Sequence, residues 1–170
     1  MTRTTTKSTS TNKATYINQM FNNIASKYDL LNNFMTFGNH IRWKEEAIKL
    51  ALKEFKNPKE ILDLCSGTGD LAIILNKLSP ITNITCIDNS NNMLDIAKSK
   101  IEKLNIKNIR LLLEDFENLS LPLKSQSYDI VTIGFGLRNL INKEKCIIDI
   151  YKLLSKNGVF VCIDLGYPAN

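Results

Sequence analysis

From residue 60 onward, short apolar runs alternate with stretches in which apolar positions recur every three or four residues. The runs at 60–65, 83–87, 108–113, 128–133 and 159–165 predict buried strands, and the stretches at 71–78, 91–104 and 143–154 predict helices. Lys156-Asn157-Gly158 is expected to stop the last of these helices. Strands and helices in this order call for parallel pairing through right-handed crossovers, so the fold class is α/β with a doubly wound, mostly parallel sheet. Upstream, Tyr16, Met20 and Ile24 form one helical stripe, and Trp43, Ala47, Leu50 and Ala51 form another. Phe37-Gly38-Asn39 separates the two, and Asn57-Pro58 closes the helical region. Trp43 is expected to pack these helices onto the sheet. Residues 1–15 are rich in Ser, Thr and Lys, with no acid and almost nothing apolar, which predicts a disordered tail; a short organellar targeting segment would look similar. The chain therefore divides into a tail (1–15), a helical segment (16–57) and an α/β domain (58–170).

At 170 residues and 19.3 kDa, with 44% apolar residues, there is material for one core but not two. No apolar run is long enough for a membrane-spanning helix. Lys and Arg outnumber Asp and Glu by 22 to 17, a net +5 spread along the chain. That excess suits an anionic membrane surface and equally a solvated face. No basic stripe with interleaved aromatics points to nucleic acid. The four cysteines lack metal-ligand spacing, and Cys65, Cys86 and Cys162 sit in strand-like runs as small hydrophobes. With no signal-peptide pattern, a reducing compartment is expected: a cytoplasm, or the matrix or stroma of an organelle.

The first strand runs into Asp63-Leu64-Cys65-Ser66-Gly67-Thr68-Gly69-Asp70. A Gly-x-Gly turn that opens a helix lets backbone approach a ligand with N–H groups pointing outward. With Ala72 the spacing also satisfies the Rossmann-like dinucleotide fingerprint, so NAD is the competing ligand. Charge separates the two: Asp63 and Asp70 flank the turn, where they would repel a diphosphate and welcome the sulfonium and ammonium of S-adenosylmethionine. Asp70 also suits a helix cap. Asp88, with Asn89, ends the second strand about twenty residues after the glycines, where a carboxylate grips a ribose diol. Asp115 and Phe116 follow the third strand and could meet an adenine amine and ring, with Met93 on its other face.

The fourth strand leads into Gly134-Phe135-Gly136-Leu137-Arg138-Asn139. Near the front the chain reads FNNIASKYDLLN at 21–32, then FGNH at 37–40 and RWK at 42–44. Together with LDLCSGTGDLA these motifs closely resemble the ubiquinone/menaquinone biosynthesis C-methyltransferases of the UbiE/MenG type, over about 19–168 and in the same order. The resemblance implies a class I methyltransferase fold with cofactor contacts at Thr68, Asp88, Asp115, Phe116 and Gly134, and with Gly67 and Gly69 shaping the turn. It implies S-adenosylmethionine as cofactor and a prenylated demethyl-quinol of the menaquinone, ubiquinone or phylloquinone series as substrate. Arg138 is the candidate to face the quinol oxygen, Asn139 to orient it, and Tyr28 and Asp29 to pair with Arg138 or take up the proton. His40 is a candidate base or a hinge residue. Gly134 stands where many of these enzymes carry Ser. They also continue with a helical lid and a final strand pair, whereas the sequence here stops at Tyr167-Pro168-Ala169-Asn170, which reads as the start of a connection; if nothing follows, the fifth strand is expected to be an exposed edge.

Competing readings are methylation of another small molecule, a non-catalytic S-adenosylmethionine-binding module, and, disfavoured by Asp63 and Asp70, a dinucleotide oxidoreductase. No metal is expected. Peripheral membrane contact and a homodimer are both open.

Overall fold

The computed structural model describes residues 5–119 and 123–165, and of residues 5–12 and 14 only the backbone. Two helices come first, α1 (Thr5–Thr36) and α2 (Asn39–Glu54). They are followed by β1 (Glu60–Leu64), α3 (Asp70–Leu78), β2 (Asn83–Asp88), α4 (Asn91–Lys103), β3 (Ile109–Leu113), β4 (Tyr128–Gly134), α5 (Lys143–Leu153) and β5 (Leu154–Ile163). The five strands are parallel and lie in the order β3-β2-β1-β4-β5. This is the doubly wound sheet expected from the sequence. The chain reverses direction across the sheet between β1 and β4, and ligands of such sheets bind outside the strand ends at that switch point.

Side chains alternate across each strand and build one core on each face. Ile61, Ile84 and Ile130 face Ile48 and Ala51 of α2 and Leu71, Ala72 and Leu75 of α3. Leu62, Leu64, Val131 and Ile133 face Cys146, Ile150 and Leu153 of α5. Both faces being covered, the central strands read as continuous apolar runs, which is why their positions were legible.

Several local expectations need correcting. Helix α1 starts at Thr5, so the tail expected over 1–15 is helical in its described part; residues 1–4 lie outside the described residues. No Gly or Pro interrupts 5–15, and once nucleated a helix extends by one hydrogen bond per residue ordered. The stripe Tyr16, Met20, Ile24 is one position off: Tyr16 and Met20 are exposed, Ala25 is buried, and Ile17, Phe21 and Tyr28 form the inward face. In α2 the buried residues are His40, Lys44, Ile48 and Ala51, while Trp43 is 43% exposed and Leu50 faces solvent. The inward arc of α2 thus carries a His and a Lys, which a hydrophobicity pattern cannot register. Lys156-Asn157-Gly158 lies inside β5: helix α5 ends earlier because Leu154 already pairs with Tyr128, and the ladder then jumps to Ile130 opposite Val159. Among the described residues β5 is a sheet edge, and Cys162 is exposed there rather than packed. The connection expected at 166–170 lies outside the described residues.

Candidate functional site

At the carboxyl ends of β1, β2, β3 and β4 the sheet opens into a cleft whose far wall is Ile17, Phe21 and Tyr28 of α1. The floor is the turn after β1, with Cys65 and Gly67, beside Gly134, Phe135 and Gly136 after β4. Gly67 has φ +54, and a Cβ built there would meet nothing within 4 Å, so the turn opens freely to the cleft. Its N–H does not point outward as expected. It donates to Asp88 Oδ2 at 2.8 Å, and Gly69 N–H donates to the Ser66 carbonyl at 3.0 Å. A carboxylate of the protein therefore already occupies the place where a helix-opening turn would hold a phosphate.

Asp88 also accepts from the Ser90 N–H at 2.9 Å. Burial pushes its carboxyl above the usual range, against the pull of the Ser90, Gly67 and Asn89 amides. An ionised carboxylate has about four acceptor positions, so with three amides on it at least one remains for a ligand. Asn89, Met93 and Phe116 continue the wall. Asp115 lines the cleft too, while its own oxygens cap the short 3-10 turn Phe116–Asn118 through Glu117 N–H (3.0 Å) and Asn118 Nδ2 (2.9 Å). Four carboxylates, Asp88, Glu114, Asp115 and Glu117, line the cleft, and among the described residues no Lys, Arg or His does. The cleft is acidic.

That acidity does not come from the two residues first singled out. Asp70 accepts Lys44 Nζ and Lys100 Nζ, each at 2.8 Å. Burial opposes its ionisation, yet the two ammonium groups hold the carboxyl below the ordinary value. Asp63 is wholly buried, takes a hydrogen bond from the Thr132 hydroxyl at 2.6 Å, and leaves Oδ2 without a partner. Burial pushes its carboxyl up to about 7. Neither aims a free negative charge at the cleft.

The Asp63 shift makes a prediction about stability. Its pKa is raised on folding, so the folded chain binds the extra proton between the unfolded value of 3.8 and about 7. Stability must fall as pH rises through that window and then level off, by a few kcal/mol in total. Asp63→Asn keeps the acceptor for Thr132 and is expected to remove this slope. Urea denaturation of both proteins across the window checks it; parallel curves would refute the assignment.

Other expected site residues fall behind the cleft walls. Thr68 is buried, and its hydroxyl donates to Asp29 Oδ1 at 2.6 Å. Asp29 is paired with Lys100, and Arg138 is tied to Asp164 through both its backbone N–H and its guanidinium, so the expected pairing of Arg138 with Tyr28 or Asp29 does not form. Asn139 does line the cleft, with Nδ2 on the Phe135 carbonyl at 3.3 Å. Tyr28 lines it as well, and burial raises its phenol above the ordinary value. His40 is buried outside the cleft, its Nε2 3.0 Å from Asn33 Oδ1, and burial and Lys44 lower its pKa; it holds the elbow between α1 and α2.

Sequence reasoning missed the residues that dock α1. Asn18 Nδ2 reaches the Asn89 carbonyl at 2.5 Å, and Asn22 Oδ1 accepts the Ser90 hydroxyl at 2.9 Å and the Asn92 N–H at 3.2 Å. Lys44 and Lys100 were missed as well. Only the run of Asn in α1, poor for a plain surface helix, hints at such contacts.

The sequence profile of the ubiE/COQ5 methyltransferase family matches residues 8–170. The chain belongs to the ubiE/COQ5 methyltransferase family. Demethylmenaquinone methyltransferase of Leptospira interrogans is 37% identical over 159 residues, covering 93% of this chain and 64% of that protein. The Thermus thermophilus protein of the same name is 40% identical over 149 residues, covering 88% of this chain and 66% of that one. This family member thus spans about 64% of the length of such curated relatives. Among solved structures, a S-adenosylmethionine-dependent methyltransferase from Clostridium acetobutylicum superimposes with a TM-score of 0.66 at 23% identity, over 81% of this chain and 56% of that one. The plantazolicin methyltransferase BpumL, solved with S-adenosylhomocysteine, gives 0.66 at 22% identity, over 92% and 62%. These likenesses establish the class I methyltransferase fold for this member of the ubiE/COQ5 family.

Proposed function

We propose that this chain carries the S-adenosylmethionine site of an enzyme that C-methylates a prenylated demethyl-quinol. The observation that carries the reading is the acidic cleft beside a turn whose Gly67 and Gly69 N–H groups are already bonded within the protein. A diphosphate would meet four carboxylates and a blocked anion position, whereas a sulfonium nucleoside meets charges that attract it. The family relatives named demethylmenaquinone methyltransferase support a quinol of the menaquinone series, with ubiquinone- and phylloquinone-type rings as its chemical neighbours.

The residues fit the cofactor. Asp88, beside Asn89, retains acceptor capacity for a ribose diol; Asp115 and Phe116 suit an adenine amine and ring; the open face of Gly67 admits the chain close to backbone. When bound, S-adenosylmethionine supplies an electrophilic methyl group on sulfur. The chain's own part is to align a ring carbon with it and exclude water. Tyr28, a phenol at neutral pH like any tyrosine and more firmly so for its burial, donates a hydrogen bond toward the quinol oxygen, and Asn139 orients it. Arg138, held by Asp164, acts at the cleft rim through its field, which already reaches Tyr28. Asp63, Thr68 and Gly69 shape the floor from below, and Gly134 is part of it.

Calorimetric titration tests this. Saturable binding of S-adenosylhomocysteine and none of NADH is expected; the reverse result sinks the reading. Transfer of labelled methyl to a demethylated naphthoquinol then tests the substrate.

A prenyl tail places the substrate in a bilayer, and this reading includes a peripheral contact there, on the cytoplasmic, matrix or stromal side. The elbow between α1 and α2 exposes Phe34 (80%), Met35 (71%) and Phe37 (93%), and residues 1–28 contain Arg3, Lys7, Lys13 and Lys27 but no acid. No helix among the described residues is long and apolar enough to span a membrane. Flotation with anionic vesicles is expected, and Phe34→Ser with Phe37→Ser should abolish it. A homodimer that the same double variant dissociates, without vesicle binding, would assign the elbow to a second copy instead.

A further inference from the structure

Lys100 of α4 does not line the cleft, yet it sits where the cleft's wall and floor meet from behind. Its ammonium has three N–H groups and three partners: Asp29 Oδ2 at 2.5 Å, Asp70 Oδ1 at 2.8 Å and Thr68 Oγ1 at 3.1 Å. The Thr68 hydroxyl in turn donates to Asp29 Oδ1 at 2.6 Å. Asp29 is the residue after Tyr28 on the α1 wall, and Thr68 is the residue after Gly67 on the floor. One ammonium therefore fixes, within two bonds on each side, the separation of the two surfaces between which the ligand lies.

We propose that Lys100 is a positioning residue that couples docking of α1 to the seating of an adenosyl ligand on the glycine turn. The inference rests on the S-adenosylmethionine reading above. With Lys100 in place, Tyr28 and Gly67 are held at the spacing the ligand needs, and a ligand touching both holds α1 down. Without it, Asp29 keeps only the Thr68 hydroxyl and Asp70 only Lys44, and the wall is held to the floor less tightly at this point. Such coupling is reciprocal: whatever factor α1 docking adds to ligand affinity, the ligand adds to α1 docking. Lys44 cannot replace it, because its ammonium reaches the other oxygen of Asp70 and makes its second contact over the Phe135 ring, 5.7 Å away.

Lys100→Met removes the charge at similar length, and Lys100→Arg keeps a donor able to fork between two carboxylates. Affinity for S-adenosylhomocysteine is read by calorimetry, and α1 docking by the rate of tryptic cleavage after the exposed Lys27. In the parent chain the ligand should slow that cleavage. Lys100→Met should lose affinity on the order of tenfold and lose the protection, while Lys100→Arg keeps most of both. Asp29→Asn breaks the same contact from the α1 side and should reproduce the Met result, which covers the case of a poorly folded Lys100→Met. A folded Lys100→Met that binds and is protected like the parent overturns the proposal. So does an equal loss in the Met and Arg variants that tracks their melting temperatures. A parent chain that binds no S-adenosylhomocysteine removes the cofactor reading together with this one, whereas a binding parent and an indifferent Met variant remove this one alone.

Discussion

Asp88→Asn is expected to weaken S-adenosylhomocysteine binding by roughly ten- to a hundredfold. A ribose diol bonded to a carboxylate makes two charge-assisted hydrogen bonds, each worth about 1.5–3 kcal/mol, and a neutral amide keeps about half of that. Gly67 and Ser90 donate to different oxygens of Asp88, so Asn keeps one of these two bonds and loses the other, and a melting curve of the variant separates that local cost from the loss of the ligand contact. Acidity adds a second signature. Binding needs the ionised carboxylate, and burial raises the Asp88 pKa, so affinity falls on acidification and begins to do so above the pH at which an ordinary Asp would titrate. In the Asn variant that limb of the profile should be flat. Calorimetry between about pH 5 and 8 measures both effects. Unchanged affinity in the variant would place the nucleoside elsewhere.

Among single substitutions, the largest loss of stability is expected at Gly136. A Cβ there would lie 2.6 Å from the Cβ of Cys65 and 3.2 Å from its Sγ, so the ends of β1 and β4 approach too closely for any side chain at this position. Gly136→Ala must push Cys65 toward the cleft or part the two strands. Overpacking of this kind costs about 1–3 kcal/mol, a fall in melting temperature of about 5 °C for a chain of this size. Cys65 itself sits at φ 51, a left-handed conformation that glycine adopts without strain. Adding Cys65→Gly to Gly136→Ala therefore removes the closest collision and the strain, leaving only Ile133 Cγ1 at 3.2 Å, and the pair should recover most of the loss. Thermal unfolding of the two single variants and the double variant measures this non-additivity. A Gly136→Ala protein as stable as its parent would mean that the two strand ends separate freely.

Much of the architecture was legible because the central strands are covered on both faces. Ile61, Leu62 and Leu64, or Ile130, Val131 and Ile133, cannot be placed anywhere but inside. The helices after the glycine turn were equally plain. Reading failed where burial is polar. Lys44 is 5% exposed because Asp70 meets its ammonium, and no rule of local periodicity anticipates a partner 26 residues away. The same limit hid Asn18, Asn22 and Lys100, whose partners are set by tertiary packing. It also led to the wrong source for the cleft's acidity: Asp63 and Asp70 stand beside the glycines in the sequence, but one is buried and the other neutralised. The carboxylates that matter come from the ends of β2 and β3, one strand and two strands away.

The cleft draws its walls from residues as distant as Ile17 and Ile141 and from the tips of four strands. No short segment of the chain contains it, so affinity requires that the sheet be formed and the first helix be seated on it. Ligand capture should accordingly report on intact global architecture: a nicked, truncated or partly unfolded population will register as silent, not weak, in any saturation curve, and added nucleoside will raise the melting point as it draws that population home.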